Sequence, residues 1–101
     1  MSLNKQYSLA GSACKVTFSV FSDTAILASK AHVVGDFNDW DRNANPMKRS
    51  KDGSFTVTIA LKRDKEYQFR YLLDGERWEN DQNADKYVTN EHGSENSVAV
   101  I

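Results

Sequence analysis

Cysteine is nearly absent from this chain. Cys14 is the only one in 101 residues, so no disulfide can form within it. Proline is as scarce, with Pro46 alone. The two histidines, His32 and His92, are sixty positions apart in sequence and form no local ligand motif. Neither charge sign is in surplus: thirteen basic and fourteen acidic residues leave a net charge of −1. That balance excludes the basic face a nucleic acid needs and a polybasic membrane anchor. The opening MSLNKQYSLAGSACK lacks the apolar run of about 7–15 residues found in a signal peptide. No stretch is long and apolar enough to span a bilayer, and no N-x-Ser/Thr sequon occurs. A reduced, cytoplasmic protein is the simplest expectation.

What is present is a chain of one-domain size, 40% hydrophobic and 11% aromatic, with enough apolar mass for a core. Residues 1–13 are polar and aperiodic and read as a mobile lead-in; residues 14–101 read as one domain. From Cys14 the pattern has period two: Val16, Phe18 and Val20 alternate with Lys15, Thr17 and Ser19. The segment 22–30 is too short to commit to a helix and reads as a loop. AHVVGDF (31–37) reads as a strand and 38–52 as a long polar loop. KDGS (51–54) is a turn. Phe55, Val57, Ile59 and Leu61 mark the clearest strand. Tyr67, Phe69, Tyr71 and Leu73 face one side of the next, with Gln68, Arg70 and Leu72 on the other.

Asp74-Gly75 is a hairpin signal that returns the chain through Arg77 and Trp78. A second polar stretch, 79–96, precedes a final strand at 97–101. Six to eight short strands separated by turns predict an all-β sandwich. Its facing Val, Ile, Leu and Phe side chains would each contribute roughly 1.5–3 kcal/mol on burial.

Catalytic signatures are missing: no Gly-x-Ser-x-Gly, no Cys-x-x-Cys and no P-loop. Cys14 begins a strand and reads as a small buried hydrophobe. Paired carboxylates of a glycosidase need a cleft, which a sandwich this small hardly offers. Asp39-x-Asp41-x-Asn43 resembles half of a calcium loop. Its sixth position is Ala44 rather than Gly, and its twelfth is Ser50 rather than Glu. Those acids read instead as turn formers, so neither a metal nor a cofactor is expected.

Trp40 and Trp78 stand out because both sit among polar neighbours at strand ends. Each either caps the end of the core or forms an exposed aromatic plate. Plates flanked by Asn, Asp, Arg and Lys suit a sugar, which offers an apolar C–H face and a rim of hydroxyls.

VVGDFNDWD, NPMKR, DGSF, YQFRYLLDGERWEND, DKYV and NSVAV occur in this order. Together they make residues 14–101 resemble carbohydrate-binding module family 48, the early-set immunoglobulin-like domain of isoamylases and branching enzymes. The chain is similar to the glycogen-binding domain of the AMP-activated protein kinase β subunit. The resemblance implies a non-catalytic α-1,4-glucan binder, for glycogen, starch or maltooligosaccharide. Trp40, in Gly-x-Phe-Asn-x-Trp, and Trp78, after the hairpin, would stack on glucose rings. Arg70 stands where the kinase subunit has Lys, His92 takes the loop position before Gly93, and Asn96 matches a sugar-binding Asn. Lys48 is a further candidate.

Besides Arg70 for Lys, three departures are visible: DGERW is one residue longer than the kinase hairpin, which would displace Trp78, His92 replaces an apolar side chain, and Asp81-Gln82 stands in place of Asp-Pro. No catalytic barrel follows in this sequence. The alternative is an interaction or accessory module for a glycogen- or starch-metabolising enzyme, with 97–101 as an edge strand open to pairing.

Overall fold

The computed structural model describes residues 2–8 and 11–101. Two antiparallel sheets pack into an all-β, immunoglobulin-like sandwich. The first sheet has the order β1 (Ser2–Tyr7), β2 (Ala13–Val20), β5 (Phe55–Lys62), β4 (Lys48–Arg49). The second runs β3 (Ala31–Gly35), β6 (Glu66–Leu73), β9 (Glu95–Val100), β8 (Lys86–Thr89), with β7 (Arg77–Glu79) also paired to β6.

Alternation decides which side chains meet. Cys14, Val16, Phe18 and Val20 from β2 lie in one buried cluster with Tyr67, Phe69, Tyr71 and Leu73 from β6. Phe18 is the hinge of the aromatic packing. Its ring lies 5.0 Å from Phe69 in an edge-on contact and 5.4 Å from Phe37, geometries that aromatic pairs favour. Cys14 is fully buried, as expected of a small hydrophobe.

Five expectations from sequence are corrected, the first within the supposed loop 38–52, where Lys48–Arg49 form β4 against β5. Residues 2–7 of the supposed lead-in form β1, which pairs with β2 from Ser2↔Ser19 to Tyr7↔Cys14. Leu3 packs against the core and supplies the apolar anchor that the polar composition hid. The lead-in expectation for residues 1, 9 and 10 lies outside the described residues. Segment 22–30 contains a single-turn helix, α1 (Asp23–Leu27), rather than only loop. Ser22 caps it by accepting from the Ala25 N–H at 3.0 Å, and Ala25 is buried. The Arg49 guanidinium donates to the Ala28 carbonyl just beyond its end.

The polar stretch 79–96 contains β8, which pairs with β9. The final strand starts at Glu95 and lies between β6 and β8, so it is not an open edge. Ser97 and Val98 are paired on both sides and the Val100 N–H donates to Asp85, which closes most of the pairing route proposed for 97–101.

His32, on β3, is bridged to Pro46 and buries its Nδ1 without a hydrogen-bond partner among the described residues. Burial, and secondarily Lys30, lowers its pKa below the ordinary value of 6.5. The unfolded chain therefore binds the proton first. His32's contribution to stability is complete above pH 6.5 and is lost as pH falls through the lowered folded value. Urea midpoints should drop between pH 7.5 and 5.5, and by less in His32→Gln. An equal drop in both proteins would remove His32 as the cause.

Candidate functional site

The segment Gly35–Trp40 is built as a bracket for one indole. Gly35 sits against β6 so closely that a Cβ there would lie 2.4 Å from the Gln68 carbonyl oxygen. Asp36 uses both carboxylate oxygens: one accepts from Trp40 Nε1 at 2.9 Å, the other from the Gln68 N–H at 2.8 Å. Phe37 turns inward onto Phe18. Asn38 accepts from the Gly35 N–H at 3.0 Å and donates to the Val33 carbonyl and to Asn45. Asp39 and Trp40 both have positive φ, 56° and 57°, conformations that short polar residues tolerate better than bulky ones. The Trp40 N–H bonds back to the Gly35 carbonyl at 2.9 Å and holds this turn. Asp41 accepts from the Asn43 N–H at 2.8 Å, so this acid shapes a local turn, as its sequence context suggested.

The second plate is placed by register. Asp74 and Gly75 have φ of 53° and 71°, and the Glu76 N–H bonds to the Leu73 carbonyl at 3.1 Å, the pattern of a type I′ turn. Asp74 also accepts from the Ser29 and Lys30 N–H groups, which hold its carboxyl below the usual range. Across this turn Leu73 pairs with Arg77 and Leu72 with Trp78. Period two then puts Trp78 on the face that carries Leu72, Arg70 and Gln68. That face is the outer side of the second sheet. Val34, Leu72 and Val98 are buried on it, outside the main core cluster, and give it an apolar floor.

Trp40, Trp78, Arg70, Asn96 and His92 line one open depression of about 560 Å³. They come from five separate places in the chain. Lys48 is not among the lining residues; it lies on β4 of the other sheet, opposite Thr56. Arg42, Gln68, Asn90 and Glu91 complete the lining and were not singled out from sequence. Gln68 was findable, because it shares the Arg70 face of β6; Arg42 carried no such signal.

The floor polar groups are linked. Asn96 donates to Gln68 Oε1 at 3.1 Å and accepts from Asn90 Nδ2 at 3.2 Å. Asn90 also accepts from the N–H groups of His92 and Ser94, which shapes the loop beneath His92. His92 itself is 81% exposed and lies 3.7 Å from Glu91. The guanidinium carbons of Arg42 and Arg70 lie 5.4 and 5.5 Å from the Trp78 ring centroid, within cation–π range.

The sequence profile of carbohydrate-binding module 48 (isoamylase N-terminal domain) matches residues 6–93. The chain belongs to this family. As a family 48 module it carries a domain of the carbohydrate-binding class. Two similar proteins are 1,4-alpha-glucan branching enzymes GlgB. That of Butyrivibrio fibrisolvens is 67% identical over 27 residues, 27% of this chain and 4% of the enzyme. That of Halothermothrix orenii is 36% identical over 58 residues, 57% of this chain and 9% of the enzyme. The module thus matches less than a tenth of either enzyme's length.

Proposed function

We propose that this family 48 module binds α-1,4-glucan, as glycogen, starch or maltooligosaccharide, and does no chemistry on it. Glucose rings stack on Trp40 and Trp78. Arg70 donates to hydroxyls, and Asn96, held by Gln68 and Asn90, presents its amide to them. The observation that carries this reading is the gathering of two indoles with Arg70 and Asn96 around a single open depression. The names of the two relatives, which act on 1,4-alpha-glucan, support the ligand class. In their setting the module would serve a glycogen or starch enzyme as its partner.

An open site contacts only one face of a hydrated ligand, so binding should be weak. Isothermal titration with maltoheptaose tests it. Trp40→Ala and Trp78→Ala should each weaken binding about tenfold, near 1.4 kcal/mol. No heat and no amide chemical-shift change for wild type at millimolar sugar would sink the reading.

A further inference from the structure

Two guanidinium groups crowd the indole of Trp78, and a neutral sugar does not require both. Arg42 and Arg70 each lie about one ring-contact distance from the same centroid, at 5.4 and 5.5 Å. Neither forms an ion pair among the described residues. Arg70 buries its Nε with no hydrogen-bond partner among the described residues. Carboxylates do little to offset the pair. Glu91 is the one acid lining the depression; it is 87% exposed and offsets one of the two guanidinium charges at most. Asp36 keeps its charge, but it is not among the lining residues and its two oxygens face the Trp40 and Gln68 N–H groups. The lining therefore carries a local excess of positive charge in a protein whose net charge is −1.

Like charges held beside one ring repel each other, and a neutral ligand leaves that repulsion in place. An anion removes it. Planar guanidinium forks match phosphate oxygens in pairs, which an ammonium group cannot do. A sugar phosphate ester would satisfy both halves of the site: its ring stacks on an indole and its phosphate meets the arginines.

We propose that the depression prefers α-glucan bearing phosphate monoesters, with Arg42 and Arg70 as the phosphate partners; this rests on the glucan-binding reading above. Arg42, exposed and without an ion pair among the described residues, is the arginine that would reach toward the ester. Arg70 is the fixed one, on β6.

The test is affinity electrophoresis through gels containing naturally phosphorylated amylopectin, against the same amylopectin after phosphatase treatment. Wild type should bind the phosphorylated polymer about fivefold more tightly, the size of an exposed charge pair. That ratio should fall toward one at high salt, because exposed charges are screened. It should also fall toward one in Arg42→Gln, and recover in part in Arg42→Lys. Equal retardation of wild type by both polymers overturns the phosphate preference and leaves glucan binding standing. A preference that survives unchanged in Arg42→Gln overturns the role given to Arg42. No retardation by either polymer overturns the glucan reading itself.

Discussion

Gly35→Ala should destabilise the domain by about 3 kcal/mol, the upper end for overpacking. The added Cβ would sit 2.4 Å from the Gln68 carbonyl oxygen and 2.7 Å from Phe69 Cβ. The first of these is backbone in a paired strand, which cannot swing away as a side chain would. The cost is steric and not conformational, because the backbone of Gly35 is extended, with φ of −173°. Gly93→Ala makes the contrast. Nothing lies within 4 Å of a Cβ there, but φ is +80°, so its cost should be about 1 kcal/mol. Urea unfolding with an unchanged m-value measures both.

Gly35→Ala should also weaken glucan binding, since the Gly35 carbonyl holds the Trp40 N–H and the strand it abuts carries Arg70. Equal stability losses for the two variants would refute the close-approach argument.

Asp81→Ala should cost about 3 kcal/mol. Asp81 is completely buried, and its carboxylate accepts from the Tyr71 hydroxyl at 2.6 Å and from the Asn83 N–H at 2.8 Å. Removing it leaves the buried Tyr71 hydroxyl without the acceptor it has among the described residues. Burial, then the neighbouring Asp81 charge, pushes the Tyr71 pKa well above its usual value. The hydroxyl therefore stays a donor at all ordinary pH. Tyr71→Phe should cost about 2 kcal/mol by stripping a donor from a buried carboxylate. The double variant should fall short of the sum of the singles, because both remove the same bond. Additive losses would show that the pair does not act as a unit. The loop behind Asp81 shares the effect: its N–H donates to Ser97 Oγ, and Ser97 donates to Asn80, two residues past Trp78.

Alternation made β2, β5 and β6 readable, because one residue in two must face the core and each has enough length to show it. The same rule separated Arg70 and Gln68 from Tyr71. It failed where strands are short or polar. β1 has only Leu3 as an inward anchor, β4 is two residues long, and β8 is Lys-Tyr-Val-Thr in a run of turn formers. Such segments become strands because a neighbour offers an unpaired edge, which is a property of the assembled sheet. The helix at 23–27 is likewise decided by Ser22 capping and by Arg49, a residue from a distant strand.

By itself, the sequence determined the all-β class, the family resemblance and the two tryptophans; Arg70, His92 and Asn96 came with the resemblance and not from local pattern. Turn chemistry, alternating polarity and two misplaced tryptophans are local properties, so they are written in order along the chain. Only the tertiary structure decided that Trp40 and Trp78 line one depression, that Lys48 lies on the other sheet, and that Arg42 joins Arg70 at the second indole. Those facts depend on strand register and on which sheet face each loop folds over. Pairing partners many residues apart set both, and no short window of the sequence contains them.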